Sequence, residues 1–162
     1  MRYFDGTNWE DIKEKTIGFK AHLSSDIINW DEFEEEKIDG LIEEFDEQNN
    51  FNPITGEFTA PSNGIYQLRL RLNLNANINV KDRFFYARTY VNGSVINQNG
   101  MITNFIITNF VALNTTLDYH STRKLLAGDK VQIRVANATD TTITIKAAGA
   151  ITGTNISGYK IK

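Results

Sequence analysis

Hydrophobic and polar positions alternate strictly over residues 65–74. Tyr66, Leu68, Leu70, Leu72 and Leu74 fall on one side, and Gln67, Arg69, Arg71 and Asn73 on the other. A period of two is that of a β-strand with one face in a core. Residues 84–91 read as a second long strand, closed by Asn92-Gly93 with Val95-Ile96 on the return. Strands over 105–113 and 117–126 follow, then a tight turn at Ala127-Gly128-Asp129 into Val131, Ile133 and Val135. Ile143, Ile145 and Ala147 alternate with polar neighbours, and 156–161 supplies a last strand. Upstream, turn clusters at Asn49-Asn50, Pro53, Thr55-Gly56 and Pro61-Ser62-Asn63-Gly64 separate short apolar pieces. Many short strands with closely spaced turns predict an all-β sandwich or jelly roll. The expected core is Phe58, Tyr66, Leu68, Leu70 and Leu72.

Two stretches stand apart. In Tyr3-Phe4-Asp5-Gly6-Thr7-Asn8-Trp9 aromatic residues flank Asp-Gly, a pair that tolerates the positive φ of a tight turn. This predicts a small N-terminal hairpin, with Tyr3, Phe4 and Trp9 either packing as a flap or serving as an attachment segment. Residues 11–15 are charged and read as a linker, and 18–23 as the first strand of the main body. The division expected is therefore 1–16 for the hairpin or attachment segment and 17–162 for the domain. The acidic stretch 31–47 is ambiguous. Ile38, Leu41, Ile42 and Phe45 share one helical face, but Gly40 interrupts it.

At 162 residues, 41% hydrophobic and 23% charged, the chain has ordinary globular composition and can bury a real core. The net charge of −3 shows no cationic bias, so nucleic acid is not expected as a partner. There is no cysteine, which excludes disulfides, thiolate metal sites and cysteine nucleophiles, and leans towards a bacterial or viral source. The first residues lack the basic and apolar regions of a signal peptide, and no apolar run is long enough to span a bilayer. The expectation is synthesis in a cytoplasm and release by assembly or lysis, with no membrane partner.

Catalytic signatures are missing. His22 and His120 lie in separate strands with no second ligand at metal spacing, and Asp46, Asp129 and Asp140 are scattered. No G-x-S-x-G elbow and no phosphate-cradling glycine loop occurs. A carboxylate pair for glycoside hydrolysis would be visible only in space. The expectation is no catalytic residue, no metal and no cofactor. Four N-x-[ST] sequons, at Asn92, Asn114, Asn137 and Asn155, are read as chance matches in a chain rich in Asn and Thr.

The block Phe45-Asp46-Glu47-Gln48-Asn49-Asn50-Phe51-Asn52-Pro53, followed by Thr55-Gly56-Glu57-Phe58-Thr59-Ala60-Pro61 and Gly64-Ile65-Tyr66, resembles the C1q/tumour-necrosis-factor-like jelly roll of bacterial and phage type. Gly18-Phe19-Lys20-Ala21-His22-Leu23 is similar to its first strand, and Leu125-Leu126-Ala127-Gly128-Asp129-Lys130-Val131 to its A-G-D turn. Ile156-Ser157-Gly158-Tyr159-Lys160-Ile161 is similar to its closing strand, with Ile156 where an aromatic is common. The likeness covers residues 17–162, and the acidic stretch before Phe45 departs from it by its richness in Glu.

That resemblance implies an all-β, two-sheet antiparallel jelly-roll sandwich of ten strands, homotrimeric and without catalytic activity. It implies a binding head or structural module. The phage or prophage particle is the leading setting: a fibre or receptor-binding head in the virion that attaches to a host-surface glycan or protein, or decorates the particle. The N-terminal segment would dock on other virion proteins. A bacterial cell-surface or spore-coat protein is the alternative, and a glycan-active enzyme on a β scaffold the remote one. By position, the family's trimer axis falls on Gln67, Arg69, Asp118, His120 and Ile156. Three copies of Arg69 would repel one another in a poorly solvated channel, so an Arg69–Asp118 pair is expected to neutralise it. The opposing expectation is that Arg69 and Arg71 lie on a wet outer face.

Overall fold

The computed structural model describes residues 2–4, 9–11, 17–30, 35–78, 83–96, 103–105, 111–138, 143–147 and 153–162. Among them are sixteen strands and no helix. In chain order these are β1 (Arg2–Phe4), β2 (Trp9–Asp11), β3 (Gly18–Leu23), β4 (Ile27–Trp30), β5 (Glu35–Lys37), β6 (Leu41–Asp46), β7 (Phe51–Asn52) and β8 (Glu57–Thr59). The chain continues with β9 (Gly64–Ile78), β10 (Arg83–Val91), β11 (Ser94–Val95), β12 (Thr103–Phe105), β13 (Val111–Leu125), β14 (Lys130–Ala138), β15 (Ile143–Ile145) and β16 (Asn155–Lys160).

Fourteen of these form two seven-stranded antiparallel sheets. One runs β4-β15-β9-β16-β3-β6 with β13 on the free edge of β9; the other runs β11-β10-β14-β8-β7 with β12 on β10 and β5 on β14. This is the two-sheet jelly roll. It has more strands than the ten implied, because short pieces such as β5, β11 and β12 pair along the edges of longer ones. β1 and β2 form a sheet of their own, with Phe4 opposite Trp9. The expected Asp5-Gly6 turn between them lies outside the described residues, as do residues 12–15 of the expected linker 11–15, whose first residue Asp11 ends β2.

The spine of the first sheet is β9 with β13, paired along 15 residues each. The alternation of β9 sends Tyr66, Leu68, Leu70, Leu72 and Leu74 inward, all at 1% exposure or less. From the facing sheet come Phe58, Ala87, Val91, Val131, Ile133 and Val135. An aromatic run joins the layers: Phe19 on β3 stacks on Phe51 (4.3 Å between centroids) and on Phe58 (5.1 Å), and Phe58 tilts against Tyr66 at 5.5 Å. The buried Tyr66 hydroxyl donates to the Ser62 carbonyl at 2.7 Å, so this polar tip is satisfied inside the core. Thr89 and Tyr119 bond hydroxyl to hydroxyl at 2.8 Å.

Over its described residues, 35–47, the acidic stretch contains strands and no helix. Gly40 sits at φ +64°, a left-handed turn that no helix continues through. β6 then pairs along β3, with a bulge between Lys20 and Ala21. Of the four residues on the apparent helical face, Ile38 and Leu41 are buried while Ile42 and Phe45 stay about half exposed, so the helical spacing was incidental. The stretch 117–126 also extends further back than expected, as one strand from Val111 to Leu125.

The turn residues of the sequence block act through side chains. Asp46 accepts the Phe51 amide at 2.6 Å and the Gln48 amide at 3.2 Å, and Asn52 accepts the amides of Ile54 and Thr55. Asp129 accepts the Leu126 amide and the Asn92 side-chain amide, each at 2.8 Å. Those two bonds hold the Asp129 carboxyl below its ordinary range. Asn92 is thereby engaged, and Asn137 and Asn155 are buried with their amides donating to the carbonyls of Trp30 and Gly153. Three of the four sequons thus offer no free amide for a glycan.

Candidate binding faces

The outward side chains of β9 and their neighbours make the first candidate face. Register places Arg71 directly opposite Asp118 and Arg69 opposite His120 on β13, with Ser157 and Tyr159 of β16 opposite Arg69 and Gln67. Asp118 Oδ1 accepts from Arg69 Nη2 at 2.7 Å and Nε at 3.1 Å, and from Arg71 Nε at 3.3 Å; Oδ2 accepts from Arg71 Nη2 at 3.3 Å. Burial pushes this carboxyl up, but the hydrogen bonds from Arg71 and Arg69 outweigh it and leave it below its ordinary range. The expected Arg69–Asp118 pair therefore forms within one chain, and Arg71 shares it. Side-chain exposures of 41% for Arg69 and 34% for Asp118 put the cluster on a solvated face of the single chain.

The five expected axial residues divide. Gln67, Arg69, Asp118 and His120 lie on this outer face, and the Tyr159 hydroxyl bonds to Gln67. Ile156 does not join them. It stands opposite Leu70 and Ala21, is 3% exposed and belongs to the sandwich core. Period two decides this: if Ser157 and Tyr159 point out, Ile156 and Gly158 must point in. A Cβ on Gly158 would lie 2.5 Å from Phe19 Cε1 and 2.7 Å from Leu68 Cδ2, so the absent side chain makes room for the Phe19 ring. On the far strands of the face, Glu44 of β6 pairs with Lys20 at 2.7 Å, and His22 Nδ1 lies 3.3 Å from the same carboxylate. At the end of the sheet where β16 runs out, Ile65, Tyr159 and Ile161 are exposed, and the Ile161 amide donates to the Ile65 carbonyl. Phe45 lies against Gly18 and adds a further half-exposed ring.

The second candidate face, on the outside of the other sheet, went unread in the sequence. Lys37, Arg134 and Arg88 stand directly opposite one another across β5, β14 and β10. The Arg134 guanidinium lies 4.3 Å over the Tyr90 ring and that of Arg88 4.4 Å over Tyr86. Glu35 accepts from Arg88 Nη1 at 3.0 Å and from the Tyr90 hydroxyl at 2.6 Å. Burial first, then the Glu35 carboxylate, push the Tyr90 phenol upward. The alternation of Tyr86, Arg88 and Tyr90 with Ala87 and Thr89 was a readable sign of an outward face. Beside this row is an open pocket of about 350 Å³ lined by Glu35, Glu36, Lys37, Asp39 and Arg134. The side chains of Tyr3, Phe4 and Trp9, expected as an attachment segment, lie outside the description. Among the described residues no three His, Asp or Glu side chains are placed to hold a metal ion.

No protein-family model matches the chain, and no curated protein does. Solved structures do match in fold. The globular domain of zebrafish complement 1qA protein aligns with 15% identity and a TM-score of 0.57, over 90% of this chain and 97% of that one. Murine APRIL aligns with 10% identity and a TM-score of 0.60, over 91% of this chain and all of that one. The Eiger TNF of S. frugiperda aligns with 10% identity and a TM-score of 0.60, over 91% and 93%. The fold is thus the C1q/TNF jelly roll.

Proposed function

We propose that the chain is a non-enzymatic, homotrimeric binding or structural module of a phage or prophage particle, a fibre or receptor-binding head that meets a host-surface glycan or protein. The observation that carries the reading is the outer face of β9, β13, β16, β3 and β6 on a C1q/TNF-type jelly roll. It joins exposed apolar residues (Ile65, Tyr159, Ile161, Phe45) to a pre-formed Arg69–Asp118–Arg71 cluster. An exposed apolar patch with a polar rim is the usual sign of an interaction surface. In this reading three copies meet on that face. The apolar end supplies burial, and Asp118 offsets part of the guanidinium charge that assembly would bring together.

The virion setting rests on the sequence resemblance, the lack of cysteine and the separate β1–β2 hairpin, which would hold the module to a larger particle. Light scattering on the eluting protein is expected to give three times the chain mass, and a monomer would refute the assembly. Mass spectrometry of purified particles from the source tests the setting. Tail genes beside the coding sequence agree with a phage module, whereas sporulation genes would replace it with a bacterial coat protein.

A further inference from the structure

We infer that the pocket beside the Lys37–Arg134–Arg88 row is a binding site for a sugar bearing a single carboxylate, such as a uronic acid unit of a glycan. The inference deepens the proposed binding role and is independent of how many copies assemble.

Like charges placed directly opposite in a sheet destabilise it, yet here three cations stand in line across three adjacent strands. Each arginine of the row rests its guanidinium plane on a tyrosine ring, which fixes its position. Glu35 accepts from Arg88 and from Tyr90, and no bond from Arg134 to it is among those of the described residues. Among the described residues Arg134 makes one side-chain hydrogen bond, from Nη2 to Gln132 at 3.2 Å. Lys37 is only loosely paired, 3.6 Å from Asp39. Two cations on the pocket wall are therefore under-used, and a ligand carboxylate is the acceptor that two such donors recognise.

The rest of the wall narrows the class. Asp39 and Glu36 in the lining disfavour phosphate or sulfate polyanions, and the exposed Asp39 carboxylate can accept a hydrogen bond from a hydroxyl. A singly charged, hydroxyl-rich ring satisfies both halves of the lining, and about 350 Å³ is room for one or two such rings.

The test titrates the intact protein with methyl glucuronide, methyl glucoside and acetate, following the arginine Nε–Hε resonances. Methyl glucuronide is expected to move the Arg134 signal saturably, with the other two compounds binding at least about tenfold more weakly. Arg134→Gln should weaken methyl glucuronide roughly tenfold or more, the scale of one lost charge-assisted hydrogen bond. Lys37→Gln, at the exposed sheet edge where folding is not at stake, should weaken it in the same direction. Acetate binding as tightly as methyl glucuronide would overturn the inference, because the ring would then contribute nothing. Unchanged affinity in both variants would also overturn it. Elution volume, read on the same samples, tests the trimer separately.

Discussion

Replacing Asp118 by Ala removes the acceptor that Arg69 and Arg71 share. In an isolated chain the cost is set by exposure. All three side chains keep about a third of their surface or more in water, at 41%, 32% and 34% for Arg69, Arg71 and Asp118. Exposed ion pairs contribute about 0.2–1 kcal/mol each, so two pairs plus relieved screening of the arginines amount to about 1 kcal/mol. For a domain of this size that lowers Tm by roughly 2–4 °C. If three copies bury this face, the same substitution strands two guanidiniums in a poorly solvated interface, and the loss rises to about 3–5 kcal/mol or the trimer splits. The assay is thermal unfolding of wild type and Asp118→Ala over a wide range of protein concentration, with light scattering on each. The assembly predicts a large, concentration-dependent gap between the two proteins. A gap that stays near 1 kcal/mol at every concentration, with elution unchanged, would refute burial of the cluster and leave the fold untouched.

Three further outcomes are expected. Leu70→Ala, at a site with no exposure in the core, should cost about 2–5 kcal/mol in urea unfolding; a loss near zero would mean that the faces of β9 are reversed. Gly158→Ala drives a methyl into Phe19 and Leu68 and should cost about 1–3 kcal/mol, measured the same way, whereas a neutral result would show the ring free to move. The carboxyls of Asp118, Glu44 and Asp26 are all held low in the folded chain, Asp26 chiefly by Lys146 and Glu44 chiefly by Lys20. The unfolded chain then binds more protons between the two sets of values. Stability from these pairs is present above pH about 4–5, the unfolded carboxylate range, and is lost as pH falls through the lower folded values. Asp118→Asn should flatten the acid limb of a plot of urea midpoint against pH, and an unchanged limb would rule out its share.

The sequence by itself determined the strands whose two faces differ sharply in polarity. In β9 five apolar residues alternate with Gln67, Arg69, Arg71 and Asn73, so period and burial coincide and no partner is needed to read them. It also determined the turns built on short-range side-chain bonds, such as Asp46 to the Phe51 amide, because donor and acceptor are five residues apart. The facing of β16 was left to the tertiary structure. Ile156-Ser157-Gly158-Tyr159 has a large residue on each face, and only pairing with Leu70 and Ala21 turned Ile156 inward. The acidic stretch was likewise undecided, since its helical spacing and its strand spacing overlapped until Gly40 broke the chain's course and β3 offered an edge. The second face was hidden for a different reason. Glu35 lies 53 residues from Arg88 and 55 from Tyr90, and no local pattern joins groups that meet only when β5 and β10 flank the same strand. Local periodicity thus decides which elements form, while the register between distant strands decides which charges share a surface.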